Sequence, residues 1–257
     1  MELPLFQVDA FTSRVFGGNP AAVCPLESWL PEEMMQAIAA ENNLAETAFF
    51  VGREGRYHLR WFTPTVEVPL CGHATLASAF VIFHYLKPEL EAVTFDSLSG
   101  ELTVTRENGR LTLGFPSLPP EPAAAPERLS EGLGAHPLDV RKARCWLAVF
   151  AAEEDVAGLQ PDMRILGGMD PVICTAPGRE VDFVSRFFAP SHGIDEDPAT
   201  GSAHCTLTPY WSRRLGRTTM RARQISKRVG ELWVEMAGER VRISGHAIPY
   251  LRGTIQV

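Results

Sequence analysis

The chain repeats itself. Residues 60–74, RWFTPTVEVPLCGHA, return at 186–203 as RFFAPSHGIDEDPATGSA, the second copy carrying a three-residue insertion. A further matching segment follows each copy: SLSGELTVTRENGRLTLGF at 97–115 and SKRVGELWVEMAGERVRIS at 226–244. Arg60 aligns with Arg186, Pro64 with Pro190, Gly72 with Gly201 and Gly100 with Gly230. A period of half the chain is too long for a solenoid and implies two similar domains related by pseudo-symmetry. The copies agree in scaffold residues and differ in chemical ones: Cys71 aligns with Thr200, and His73 with Ser202. A cleft between two such halves would offer a small substrate similar backbone and unlike side chains.

At 257 residues the chain has room for two domains, each with its own core. A net charge of −7 argues against nucleic acid as a partner, since phosphate binding needs a basic surface. The basic run RRLGRTTMRARQISKR at 213–228 is the exception, and an exposed stretch after a helix explains it equally well. The opening MELPLFQVDAFTS lacks the basic flank and apolar core of a signal peptide, and the apolar run around Leu76–Phe83 is too short to span a bilayer. The five cysteines (24, 71, 145, 174 and 205) are odd in number and form no C-x-x-C pair. They fit reduced thiols, hence a cytoplasmic protein with no membrane partner.

Strands are expected at 3–10, 21–26, 44–51, 57–64, 92–98, 101–107 and 110–116, from β-branched and aromatic residues between Gly or Asn turns. Pro31 followed by EEMMQAIAAENN reads as a helix with Pro at its first turn. GHATLASAFVIFHYL (72–86) is apolar nearly all round, so it must be surrounded by protein. Strands wrapped around one buried helix make an α+β, barrel-like domain. In the second half TGSAHCTLTPYWSRRL (200–215) is the matching helix, kinked or shortened by Pro209. PSLPPEPAAAP (116–126) reads as a semi-rigid linker, dividing the chain into domains 1–118 and 119–257 with the final strand free to return to the first.

Each central helix is expected to begin on a glycine, at Cys71-Gly72-His73 and at Thr200-Gly201-Ser202. A helix N-terminus presents unpaired N–H groups and partial positive charge, so two of them facing across a cleft would hold a carboxylate. Taken singly, each glycine need only permit a tight turn; the repetition with different flanking residues favours the anion site. Glu46 shares a strand face with Leu44, Ala48 and Phe50. Burial there would raise its carboxyl toward neutrality, whereas an edge strand would leave it in water. Asp197 before Pro198 reads, by itself, as a helix cap. His73 at a helix start is expected neutral, with a depressed pKa, and Cys71 there is expected to have a lowered one. Ser202 can cap or can bind substrate, but it lies in no Gly-x-Ser-x-Gly elbow. No His-Glu-x-x-His or paired Cys/His spacing signals a metal, and no Gly-rich loop signals a nucleotide.

GNPAAV (18–23), ENNLAETAFF (41–50), RWFTP (60–64), LCGHATLASA (70–79), SGEL (99–102) and DPATGSAH (197–204) together resemble the PhzF-like proteins of phenazine biosynthesis. The motifs run in the family's order through both halves. The resemblance implies a diaminopimelate-epimerase-like fold, an active site in the interdomain cleft, and a homodimeric isomerase without a cofactor. In the phenazine enzyme a glutamate moves a proton between ring carbons of trans-dihydrohydroxyanthranilate. Carried over residue by residue, the catalytic group is Glu46, with His73, Asp197 and Ser202 in support. Asn19, Cys71, Gly72, Thr200 and Gly201 are read as contacts to a small anionic substrate. Cys71 departs from the phenazine enzyme's pattern and resembles the epimerase relatives. It supports an alternative, an amino-acid epimerase or a hydroxyproline-dehydratase-like lyase with Cys71 as base. A non-catalytic binding module is the third reading.

Overall fold

The computed structural model describes residues 1–257. They form two compact units, Met1–Gly114 with Ser244–Val257, and Phe115–Ile243. The first holds strands β1 (Glu2–Ala10), β2 (Asn19–Leu26), β3 (Glu46–Arg53), β4 (Arg56–Phe62), β5 (Glu67–Val68), β6 (Ala92–Ser97), β7 (Gly100–Glu107) and β8 (Arg110–Pro116, which ends just past the boundary). Its helices are α1 (Glu32–Asn42) and α2 (Gly72–Val81). In sheet order β1 pairs antiparallel with β2, β2 parallel with β3, β3 antiparallel with β4, β4 parallel with β6, and β6 antiparallel with β7. The short β5 lies antiparallel on β4.

Every residue of α2 from His73 to Ala79 is buried, as its unbroken apolar surface requires. The helix packs against β1, β2 and β3, and then runs on as a π-helical turn over Ile82–Leu86. On α1, Met35, Ile38 and Ala39 close over Leu3, Cys24, Leu26, Phe49 and Phe62. The parallel pair β2–β3 is therefore covered on both faces, and residues 47–50 are buried without alternation. Gly18 precedes β2 at φ +55°, where a Cβ would stand 2.0 Å from the Ala10 carbonyl oxygen. Only glycine fits that turn, and it delivers Asn19 to the first position of β2.

The second unit holds β9 (Glu121–Pro122), β10 (Asp139–Lys142), β11 (Trp146–Val149), β12 (Val172–Pro177), β13 (Phe183–Ala189), β14 (Ile194–Glu196), β15 (Thr219–Gln224), β16 (Gly230–Ala237) and most of β17 (Arg240–Gly245). Its short helices are α3 (Leu129–Leu133), α4 (Glu153–Ala157) and α5 (Met163–Leu166), and its long one is α6 (His204–Leu215). The pairing repeats the first unit's sequence of directions. Strand β10 is antiparallel to β11, β11 parallel to β12, β12 antiparallel to β13, β13 parallel to β15, and β15 antiparallel to β16; β14 lies antiparallel on β13. The internal repeat is thus a repeat of connectivity as well as of residues. The last strand, β18 (Ala247–Gln256), pairs antiparallel with β1.

The two arginines that the repeat aligns play the same part twice. Arg60 grips Glu67 with Nε at 2.7 Å and Nη2 at 2.6 Å, and stacks over Phe62. Arg186 grips Glu196 with Nε at 2.7 Å and Nη2 at 2.9 Å, and stacks over Phe188. A bidentate guanidinium fixes direction as well as distance, so each pair pins the loop that leads into its unit's long helix.

One expectation changes. The segment 116–126 is an ordered strap on the second unit rather than a bare spacer: Glu121 and Pro122 pair with Lys142 and Arg141, and Leu118 N–H donates to Cys205 O at 2.9 Å. That bond also explains why Pro209 does not end α6. A proline at 209 cannot donate to the carbonyl of residue 205, and the strap's Leu118 N–H takes its place.

Candidate active site

In the first unit, three elements converge at their N-terminal ends: Asn19 opens β2, Glu46 opens β3, and Cys71 precedes Gly72 and His73 at the start of α2. Asn19 Nδ2 lies 3.1 Å from His73 Nδ1, and His73 Nε2 lies 3.1 Å from Glu46 Oε2. Cys71 Sγ is 3.5 Å from His73 Nδ1 and 4.0 Å from Nε2. The Glu46 side chain retains 12% of its exposure and that of His73 6%. Their contact has the length of a charge pair without the alignment of a hydrogen bond, and Oε2 is buried with no hydrogen-bond partner.

The electrostatics reverse three expectations. Burial by itself would raise the Glu46 carboxyl, but the charge of His73 3.1 Å away, with the Cys71 thiol beside it, outweighs it and holds the carboxyl below its ordinary range. Burial would likewise lower His73, and the facing Cys71 and Glu46 outweigh that, so the imidazole sits well above its ordinary value. The helix start at Gly72 disfavours a cation there, but it is a weaker influence than a carboxylate in contact. The Cys71 thiol is pushed up to about 11, first by burial and then by the Glu46 charge. The resting pair is therefore carboxylate and imidazolium, beside a protonated thiol.

The second unit carries a different set. Thr200 Oγ1 donates to Asp197 Oδ2, and Thr200 N–H donates to Gln224 Oε1 at 2.8 Å. Gln224 Nε2 in turn donates to Asp197 O at 2.6 Å and to Thr200 Oγ1 at 3.1 Å. Ser226 Oγ donates to Pro198 O at 2.7 Å, repeating the first unit's Ser99-to-Pro69 bond at 2.8 Å. Helix α6 begins at His204, capped by the backbone of Ala203, rather than at Gly201. Gly201 to Ala203 form a tight turn ahead of it, with Gly201 buried and Ser202 exposed. Asp197 is consequently not the helix cap that its place before Pro198 predicts; its carboxylate accepts from the Thr200 hydroxyl and braces that turn.

Strand register shows why only one unit has the carboxylate. Thr47 faces Phe62 and Val172 faces Phe188 across equivalent strand pairs, so Glu46 corresponds to Pro171. Asn19, Glu46, Cys71 and His73 are thus gathered in the first unit, and Asp197 and Thr200 in the second. Sequence reasoning missed two residues of the second set. Gln224, fully buried, braces the turn; it follows Met220 and Ala222 on the inward face of β15, where a polar side chain needs partners. His204, also fully buried, donates from Nδ1 to Thr200 O at 2.9 Å, and burial pushes its pKa down to about 4.

The last shift has a measurable consequence. Below pH 6.5 the unfolded chain protonates this histidine, while the folded chain resists until about pH 4. Folding stability therefore falls by about 3 kcal/mol over that window on account of His204 alone. Urea unfolding at a series of pH values should show a shallower acid slope for His204→Gln than for the native protein; equal slopes would remove His204 from the account.

Comparison with known proteins fits this arrangement. A family model described as phenazine biosynthesis-like protein, PhzC-PhzF, matches residues 8–253. The chain belongs to the PhzC-PhzF family. An uncharacterised isomerase of Pseudomonas aeruginosa is 52% identical over 259 residues, covering 100% of both chains. The crystal structure of a PhzF-family phenazine biosynthesis protein from Enterococcus faecalis superposes with a TM-score of 0.97 at 46% identity, again over 100% of both. A hydroxyproline epimerase of Agrobacterium vitis, crystallised with trans-4-hydroxy-L-proline, shares the fold at a TM-score of 0.62 and 10% identity, covering 99% of this chain and 92% of that one. This PhzC-PhzF protein accordingly has the α+β, diaminopimelate-epimerase-like fold. None of its helices is long and apolar enough to cross a membrane.

Proposed function

We propose that the protein is a cofactor-independent isomerase that moves a proton between two carbons of a small carboxylate-bearing substrate, with Glu46 as the proton carrier. The observation that carries this reading is the buried Glu46–His73 pair. A carboxylate kept ionised by its neighbour starts the cycle as a base. Because its pKa is held low, it releases the proton readily once the second carbon has become the better acceptor. His73 keeps its positive charge throughout and steadies the negative charge that develops on the substrate. The relatives' designation as isomerases supports the same reaction class.

The reading gives the exposed Ser202 and the Gly201 turn a substrate-binding role, with Asp197, Thr200 and Gln224 holding that turn in shape. It also has the enzyme acting in the cytoplasm as a homodimer. The substrate is an acid whose transferable C–H is acidified by a neighbouring carbonyl, carboxyl or double bond, as in trans-2,3-dihydro-3-hydroxyanthranilate. Incubation of the protein with a panel of such acids in D2O, followed by proton NMR, should show loss of one C–H signal and growth of an isomer. Stabilisation of the protein by an acid that undergoes neither exchange nor isomerisation would make it a binding protein instead.

A further inference from the structure

Cys71, His73 and Glu46 bring one sulfur, one nitrogen and one oxygen within 4.8 Å of one another. Zinc binds cysteine sulfur at about 2.3 Å and histidine nitrogen or carboxylate oxygen at about 2.0–2.2 Å, so neighbouring ligand atoms of a tetrahedral site lie roughly 3.3–3.6 Å apart. Here Nε2 stands 3.1 Å from Glu46 Oε2 and 4.0 Å from Cys71 Sγ. The first separation is slightly below that range and the second slightly above it; the sulfur lies nearer Nδ1, at 3.5 Å, so the Cys71 side chain has to turn toward Nε2 to complete the set. The other ring nitrogen already has its orienting partner. Asn19, fully buried, lies 3.1 Å from Nδ1, and with its amide turned so that Oδ1 faces the ring it accepts the Nδ1 proton. A metal-bound histidine needs just such a partner behind it.

We infer that Glu46, Cys71 and His73 form a binding site for one thiophilic divalent cation, Zn2+ or Cd2+, with water as the fourth ligand. The mixed sulfur, imidazole and carboxylate set discriminates against Mg2+ and Ca2+, which take oxygen ligands. None of the usual metal spacings announces the site, because Glu46 comes from β3 and the other two ligands, at the start of α2, are only two residues apart. On binding, the thiol proton and the Nε2 proton of the imidazolium both pass to solvent, and the sulfur bonds the metal as thiolate and the ring as neutral imidazole. The cation would occupy both groups of the proposed proton shuttle, so it is an inhibitory site.

Titration of the chelator-treated, full-length protein with cadmium chloride tests this, read by the ultraviolet thiolate-to-cadmium charge-transfer band. One equivalent should saturate the band, and Zn2+ should bleach it by competition. In Cys71→Ser the band should be lost, with folding checked by far-ultraviolet circular dichroism. In Glu46→Gln the band should persist, but affinity should fall by more than the roughly 10-fold that even an outer partner costs. Absence of the band in the native protein overturns the inference, as does its survival in Cys71→Ser, which would assign the ion to another thiol such as the half-buried Cys145. Should Cys71→Ser fail to fold, unchanged affinity in Glu46→Gln overturns it equally. The readout is metal binding and not turnover, so it stands or falls separately from the proton-transfer reading.

Discussion

Glu46→Gln should leave the protein folded and able to bind its substrate, yet cut isomerisation and C–H exchange by about 10²–10⁴-fold. The substitution keeps the shape of the side chain and removes only its capacity to take a proton. His73 then loses its counter-charge and reverts to a neutral imidazole, a state that burial already favours. The competing base is Cys71, and the two are separable. With its pKa near 11, only about one Cys71 thiol in 10⁴ is ionised at pH 7. Cys71→Ser should therefore retain turnover within about tenfold, a far smaller loss than that of a general base. The assay is exchange in D2O with whichever acid the panel identifies, alongside a thermal-shift titration of each variant with that acid. Full activity in Glu46→Gln, together with inactivation of Cys71→Ser, would transfer the base to the thiol and the reaction to the epimerase class.

The fold was legible where pattern follows from backbone physics, and the site was legible only as a set of residues. The seven first-half strands read from residue type and turn signals all occur, displaced by at most two residues at either end. The all-apolar surface of 72–81 forced a buried helix, and one was found. Charge states were not legible in the same way. Reasoning from burial alone raised Glu46, and reasoning from a helix start alone lowered His73 and Cys71. Each rule was sound, but the decisive quantity was the 3.1 Å separation of two residues 27 positions apart, which no local pattern encodes. The same holds for Asp197, where the Asp-Pro pair suggested a cap and a threonine three residues on claimed the carboxylate. Gln224 was the one missed residue with a readable signal, a polar side chain in step with Met220 and Ala222 on an inward strand face.

His73→Leu should destabilise the protein by about 3–5 kcal/mol at pH 7, because it strands the Glu46 charge in a buried setting. The pH dependence distinguishes this from a packing defect. In the native protein the Glu46 carboxyl lies below its ordinary 4.5, so its contribution is complete above that value and is lost as pH falls through the lowered one. His73 lies above its ordinary 6.5, so its contribution is complete below that value and is lost as pH rises through the raised one. The pair is thus worth most between pH 4.5 and 6.5. In His73→Leu nothing opposes burial of Glu46, whose carboxyl should rise and take up a proton as the solution is acidified. The stability deficit measured by urea unfolding should accordingly shrink toward acid pH. Adding Glu46→Leu to His73→Leu should restore much of the loss, since an apolar pair replaces the stranded charge. A deficit that is constant with pH and undiminished in the double variant would mean that the histidine contributes by packing alone, and the charge pair on which the proposed proton carrier depends would lose its support.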